Sequence, residues 1–411
     1  MAERFKAPRG TFDVLPEQQP VRTRIHKTAR RALEAAGYGR IDTPTFEETD
    51  LFARGVGEST DIVQKQMFTF EDQGGRSLTL RPEATASICR AYLEHGMQTL
   101  AQPVKLWTDG PFYRHERPQA GRFRQFTQID AEVIGSDSPL VDAELILLAN
   151  DIIAGLGVAG VTLKLSSLGT PAARAAYLDE LRAYLRAHES DLSDEVRGRI
   201  DANPLRAFDA DHEGTRRVMS EAPILLDRLD AEDAEHFAEV RRLLEANGVS
   251  YEIDPTLVRG LDYYTRTVFE FDCERLGAQS GIGGGGRYDG LIELIGGAPT
   301  PANGWALGVD RIALALGDAE GVEAERDGVF VVAEADGRDV ALALVTELRR
   351  AGIDADFDLA DRAIKGQMKQ ADRVGARYAL ILGEGKATLR DMNSGEEREV
   401  DPSRVAEELR S

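Results

Sequence analysis

The sequence predicts an α+β chain whose β-rich first region is interrupted by an all-helical segment and followed by a small α/β domain. Three observations carry this. Residues 62–135 place short apolar and alternating runs between turn residues, as antiparallel strands do. From about Pro171 to Asn247, Ala, Leu, Arg, Asp and Glu dominate, and apolar residues recur three and four positions apart. After residues 317–328, which are rich in Gly, Glu and Asp, strand and helix patterns alternate over short connections.

In chain order, a turn-rich stretch from Ala7 to Pro16 leads into a helical pattern from about Val21 to Ala36, with Gly37 as its C-cap. Ile41 to Phe46 reads as a short strand. Met67–Phe70 and Ser77–Leu80, joined by Glu71-Asp72-Gln73-Gly74-Gly75, read as a hairpin. Pro82 ends the strand, and Ala84 to Leu93 reads as a helix. Strands are expected at Val104–Trp107 with Gly110–Arg114, and at Phe123–Glu132, around a polar loop from Glu116 to Gly121. After the helical segment, Val249–Ile253 and Thr267–Cys273 return to strand. Gly281–Gly290 is Gly-rich, with a flexible loop as its plain reading, and Gly304–Gly308 leads into a helix from Asp310. The last domain reads as strand Val329–Ala333, helix Asp339–Ala351, strand Ile353–Phe357, helix Asp361–Gly375 and strand Tyr378–Leu382, with a largely parallel sheet.

The length of 411 residues argues for two or three domains, and 42% hydrophobic residues supply a sizeable core. A net charge of -21 argues against a basic coat protein or a polybasic membrane binder, yet it leaves room for local basic patches. Two cysteines, Cys89 and Cys273, make neither a disulfide framework nor a zinc spacing. The chain starts without an apolar leader and has no run approaching 18 apolar residues, so a soluble, cytoplasmic protein in a reducing compartment is expected.

Several segments carry candidate chemistry. Between Arg114 and Arg124 the chain places four arginines in eleven residues, which could converge on a polyanion. A solvated, salt-bridged hairpin explains the same run equally well. Gln128, Asp130 and Glu132 share one face of a strand; alone, that face reads more readily as solvent-facing. Arg259-Gly260-Leu261-Asp262-Tyr263-Tyr264 joins a cation, a Gly and two tyrosines, whose hydroxyls donate and accept; half-buried tyrosines at a strand edge are the plainer reading. Gly281–Gly286 contains G-x-G-x-x-G, but a loop separates it from the strand before it, which argues against a dinucleotide fold. Its glycines suit close approach of backbone to a flat ligand. Arg311, in the first turn of a helix, hints at phosphate. Arg362, Lys365, Lys369, Arg373 and Arg377 form a basic stripe that reads first as a solvated face.

Together these segments resemble the histidyl-tRNA synthetases, a family of class II aminoacyl-tRNA synthetases. Leu80-Arg81-Pro82-Glu83-Ala84-Thr85-Ala86 is similar, with Ala84 where many members have Gly. Tyr113-Arg114-His115-Glu116-Arg117-Pro118-Gln119 looks like class II motif 2, and Gly308-Val309-Asp310-Arg311 like motif 3. Arg259 to Tyr264 and Gly284-Gly285-Gly286-Arg287-Tyr288-Asp289 look like the two histidine-specific motifs, the more specific signals. The likeness spans nearly the whole chain, in order and spacing.

The resemblance implies a catalytic domain on a six-stranded antiparallel sheet with flanking helices. It implies catalytic core at 1–170 and 249–320, a helical insertion at 171–248 and an α/β anticodon-binding domain at 327–411. The first helix and Thr43-Pro44 would form motif 1 and the homodimer interface. The implied reaction joins L-histidine to ATP as histidyl-adenylate with loss of pyrophosphate, then transfers histidine to its tRNA. Mg²⁺ would arrive with ATP, bound mainly through phosphate oxygens. By resemblance, Arg259 bridges the histidine carboxylate and the α-phosphate as the main catalytic cation, and Arg114 holds the α-phosphate. Glu83, Thr85 and Gln128 receive the α-amino group, Glu132 and Tyr264 read the imidazole nitrogens, and Tyr263 and Tyr288 complete the histidine site. Glu116, Arg122, Phe126 and Arg311 contact ATP, with Phe126 on adenine and Arg311 at the γ-phosphate.

Three rivals share part of this pattern. A regulatory subunit of ATP phosphoribosyltransferase would lack the last domain and part of the motifs, which are intact here. A class II synthetase for threonine, proline or glycine would lack the two histidine-specific motifs. A non-catalytic ATP-binding module leaves Tyr263-Tyr264 with Glu132 unexplained.

Overall fold

The computed structural model describes residues 4–57, 60–119, 121–258, 260–277, 280–317, 327–383 and 386–409. The chain divides between residues 318 and 319 into two compact units.

In the first unit, α1 (Gln19–Ala35) carries Pro in its first turn, where a missing N–H costs nothing, and buries Ile25, Ala29 and Leu33 on one face. Gly37, at φ +83°, ends it as expected. The predicted strand at Ile41–Phe46 is replaced by two shorter ones, β1 (Gly39–Arg40) and β2 (Phe46–Glu48). After α2 (Thr49–Val56), the hairpin forms as β3 (Phe68–Glu71) and β4 (Ser77–Leu80), with β2 on the other edge of β4.

Then follow α3 (Thr85–Glu94), β5 (Val104–Tyr113), β6 (Gln125–Ile134), α4 (Pro139–Leu156) and β7 (Val161–Ser167). The helical segment holds α5 (Pro171–Ala187), α6 (Asp194–Arg197), α7 (Glu213–Met219) and α8 (Ala231–Ala246). Side-chain caps start them: the Thr170 hydroxyl accepts from Ala173 N at 3.3 Å and the Asp230 carboxylate from Asp233 N at 2.9 Å. The unit closes with β8 (Glu252–Ile253), β9 (Thr265–Cys273), β10 (Gly281–Arg287), α9 (Leu291–Leu294), β11 (Ala302–Gly308) and α10 (Val309–Leu316).

The main sheet runs β1-β5-β6-β11-β10-β9-β7-β8. The six strands from β5 to β7 are antiparallel neighbours throughout, and β1 and β8 add short parallel edges. The six-stranded antiparallel sheet is therefore the centre of an eight-stranded one. On β6 the alternation sorts chemistry: Ile129, Ala131 and Val133 join the apolar cluster under α1, α4, α8 and α10. Gln128, Asp130 and Glu132 face the other way. Phe237, Val240 and Leu244 of α8 join the same cluster, so this last helix of the expected insertion packs on the sheet.

The glycine run is not a loop. It forms β10, in the middle of the sheet, because its neighbours come too close for side chains. A methyl at Gly283 would overlap Leu307 Cδ2 and lie 2.7 Å from Ala306 O.

The second unit contains β12 (Asp327–Val332), α11 (Arg338–Arg350), β13 (Ala355–Phe357), α12 (Ile364–Arg373), β14 (Ala376–Leu382), β15 (Ala387–Asp391), β16 (Glu397–Val400) and α13 (Val405–Glu408). The parallel trio β13-β12-β14 matches the expected α/β pattern, and β15 and β16 extend it antiparallel. Among the described residues no helix is long and apolar enough to cross a membrane.

Candidate active site

One cavity lies over the polar face of β6 and the glycines of β10. It is lined by Glu83, Thr85, Arg114, Glu116, Arg122, Phe126, Gln128, Tyr263, Tyr264, Tyr288 and Arg311, among others. The structure thus gathers eleven of the thirteen expected site residues in one place, from segments up to 228 positions apart in sequence (311 − 83). Glu132 is placed one layer behind the lining, and Arg259 lies outside the described residues.

The segment before α3 builds one wall. Arg81 anchors it: Nε donates to Pro111 O at 3.0 Å, and one terminal nitrogen donates to Thr43 O and Thr43 Oγ1, both at 3.1 Å. Its guanidinium also lies 4.6 Å from the Phe112 ring centroid. Glu83 then folds back and accepts from Thr85 N at 2.7 Å and Ala86 N at 3.0 Å. These are orphan donors at the start of α3, so the carboxylate is fixed by the helix it precedes. Ala84 has right-handed helical angles, which alanine adopts as readily as glycine.

Behind this wall, Glu132 on β6 accepts from Thr85 Oγ1 at 2.7 Å through one oxygen and from the Tyr288 hydroxyl through the other. Both donors line the cavity, so Glu132 orients two lining residues. The Tyr263 ring stands 4.7 Å from that of Tyr264 and 5.5 Å from that of Tyr288, giving an aromatic wall. The helical segment supports it, as Arg174 of α5 donates to Tyr264 O at 3.2 Å.

Burial raises the carboxyl of Glu83 and pushes those of Glu132 and Asp130 well above the usual range, with neighbouring carboxylates adding to the last two. Glu83 and Asp130 in the lining, with Glu132 behind them, favour a cationic ligand. The predominantly solvent-facing reading of Gln128, Asp130 and Glu132 is overturned: Asp130 and Glu132 are 2% and 1% exposed.

The cavity also gathers guanidiniums. Arg114 donates from Nε to Pro82 O at 2.9 Å and lies 5.2 Å from the Phe126 ring centroid. Arg122 pairs with Glu116 at 3.0 Å. Arg311 is drawn down from the usual arginine value by burial and by the Arg122 guanidinium, as like charges held together would be. A polyanion would relieve that repulsion. The neighbouring Asp310 carboxylate pairs with Arg22 of α1 and accepts from Thr127 N at 2.6 Å, which locks the start of α10 against β6.

Sequence reasoning did not single out Thr127 or Glu270, which also line the cavity, placed Asp310 only within the motif 3 likeness, and gave Asp130 no role. The even spacing on β6 was the available signal for Asp130. In the second unit, the basic stripe is divided. Arg362 pairs with Asp358 at 2.6 Å and Arg377 with Asp391 at 2.7 Å, whereas Lys365, Lys369 and Arg373 are exposed along α12.

Comparison with known proteins shows the family to which the chain belongs. A family model described as histidyl-tRNA synthetase matches residues 10–312, and one described as anticodon binding domain matches residues 328–411. A histidine–tRNA ligase of Streptomyces avermitilis is 49% identical over 416 residues, covering 98% of each chain. That of Halothermothrix orenii is 46% identical over 413 residues, again covering 98% of each. The apo histidyl-tRNA synthetase of S. aureus superposes with a TM-score of 0.83 at 35% identity, covering 99% of this chain and 100% of its own.

Proposed function

This chain belongs to the histidyl-tRNA synthetase family, and on that premise we propose how its own residues carry out the reaction. The activity is histidine–tRNA ligation: L-histidine is activated by ATP and passed to the 3′ end of its tRNA. The single observation carrying the residue assignment is one cavity that gathers Glu83, Asp130, Gln128 and three tyrosines with the guanidiniums of Arg114, Arg122 and Arg311. Histidine presents an ammonium and an imidazole to the first group, and ATP presents phosphates to the second.

In the first step a histidine carboxylate oxygen attacks the α-phosphorus of ATP. The new O–P bond forms as the bond to the bridging oxygen breaks, and pyrophosphate leaves with that electron pair. Two anions must meet, so fixed cations aimed at the transferring group supply most of the catalysis. Arg114 holds the α-phosphate, Arg311 the γ-phosphate, and Arg259 bridges carboxylate and α-phosphate. Glu83, Thr85 and Gln128 hold the ammonium. Tyr264, with Tyr263 and Tyr288, bounds the imidazole, and Glu132 acts on that ring through the residues it orients. Arg122, Glu116 and Phe126 complete the ATP site. In the second step the terminal ribose hydroxyl of the tRNA attacks the acyl carbon, and AMP leaves.

Mg²⁺ entering with ATP would neutralise phosphate charge. Glu116 and Glu270, carboxylates lining the cavity, fit a metal-bound triphosphate better than a bare one. Residues 1–170 and 249–320 serve as catalytic core, 171–248 as insertion and 327–411 as the anticodon-binding domain. The enzyme works in the cytoplasm as a homodimer through α1 and the Thr43-Pro44 segment.

ATP–pyrophosphate exchange measured with each of the twenty amino acids tests the reading. Exchange with histidine alone supports it. A folded sample that exchanges with none would point to the regulatory-subunit alternative, which the match at residues 328–411 disfavours.

A further inference from the structure

We propose that Asp130 is an additional substrate-binding residue, whose Oδ2 accepts a hydrogen bond from the α-ammonium of histidine and joins Glu83, Thr85 and Gln128 around that group. The proposal rests on the histidine-ligase reading and adds a residue to its substrate site.

An ammonium carries three N–H donors, and burying it leaves a large penalty unless each finds an acceptor. Glu83 supplies one wall of the site and is itself held by two backbone N–H groups. Gln128 and Asp130 stand two residues apart on the same face of β6, and both line the cavity. Gln128 Oε1 and Asp130 Oδ2 are buried, and neither accepts a hydrogen bond among the described residues. Buried acceptors without donors are rare in folded proteins, and two side by side facing a cavity mark a place where a donor-rich group docks.

The charge balance agrees. Asp130 is 2% exposed, and Glu83, Arg81, Arg114 and Asp109 act on its carboxyl. The two guanidiniums favour the ionised carboxyl, but neither donates to Asp130 Oδ2: Arg81 donates to the Thr43 and Pro111 carbonyls and Arg114 Nε to the Pro82 carbonyl. Glu132, the remaining acid of the cluster, has both oxygens occupied by Thr85 and Tyr288. Of Glu83, Asp130 and Glu132, Asp130 is the one with a buried oxygen that accepts no hydrogen bond among the described residues.

The test is calorimetric binding of three ligands to wild type, Asp130→Asn and Asp130→Gly: histidine, histidinol (which keeps the ammonium) and imidazolepropionate (which lacks it). Histidine and histidinol should bind both variants about tenfold or more weakly, the loss of a charge-assisted hydrogen bond. Imidazolepropionate should change less than twofold, and its binding reports that the variants are folded. Retained affinity for histidine would overturn the proposal. An equal loss for all three ligands would also overturn it, placing Asp130 at the ring or in the fold. Failure of the wild type to bind histidine would instead remove the reading on which the proposal rests.

Discussion

Arg287 and Asp142 form an ion pair in which both side chains are 0% exposed, one residue before the Tyr288 that walls the substrate cavity. The pair does not stand alone. Asp142 also accepts from Asn303 Nδ2 at 2.8 Å and contacts His236 Nε2 at 2.7 Å, while Arg287 donates to Ser136 O at 3.0 Å and to Asp289 at 3.1 Å. Burial pushes the Asp142 carboxyl up, but His236 and Arg287 outweigh it and hold the group below its usual range. One carboxylate thus ties α4, α8, β10 and β11 together.

Removing one partner strands the other charge in the interior. Arg287→Ala should lower stability by about 3–5 kcal/mol, measured by denaturant unfolding. A cost under about 1 kcal/mol would mean that water or rearrangement compensates the exposed partner.

Gly304 faces Glu132 across the β6–β11 pair, and a methyl there would overlap Glu132 Oε2. Gly304→Ala should therefore displace the carboxylate and release Tyr288, raising the KM for histidine with less effect on that for ATP. Glu132→Gln, which keeps the shape and loses the charge, should raise the histidine KM by roughly tenfold. Equal changes in both substrates would argue against the orienting role.

Asp130 titrates against burial, and the sign is testable. Its folded-state pKa is raised above the ordinary 3.8, so the folded state holds the proton more tightly than the unfolded chain. That contribution to stability is fully present below the unfolded value and is lost as pH rises toward the folded one. Asp130→Asn removes the titration. Without histidine, the variant's Tm should exceed that of wild type by a margin that grows as pH rises above about 4. A margin independent of pH would contradict the assignment.

Arg259→Ala should cut adenylate formation by about 100-fold or more, the scale expected when a fixed charge at the reacting group is lost. Stopped-flow or exchange assays on the folded variant decide this. Activation at the wild-type rate would show that the carboxylate and α-phosphate are bridged by another group.

Each unit has its own apolar clusters, with Val331, Val345 and Leu380 among those confined to the second. Deleting residues 327–411 should therefore spare histidine-dependent exchange and cripple tRNA charging. Loss of both activities in a folded product would show that the first unit depends on the second.

Much of this was legible in the sequence because it follows local periodicity. The α1 face, its Gly37 cap, the hairpin and the parallel trio of the second unit all appear where spacing predicts them. The spacing of Gln128, Asp130 and Glu132 fixed a shared face, but which face meets solvent depends on partners far away in sequence. Gly281–Arg287 received no strand assignment from its sequence, because glycine disfavours strands locally. Closeness to Leu307 and Ala306 reverses that preference, and only the assembled sheet contains it. The β15–β16 hairpin carries weaker signals, with charged residues spread along both strands, and escaped notice.

The glycines of β10 have a further consequence. Gly281, Gly283 and Gly284 line the cavity with main chain, so that surface of the site has no side chains to exchange. Mutation can retune a wall made of tyrosines and acids one residue at a time, but enlarging a position such as Gly283 strains the sheet before it reshapes the site. Drift in substrate preference is thereby channelled to the rim and the β6 face. The floor acts as an inherited constant around which the rest of the pocket can vary.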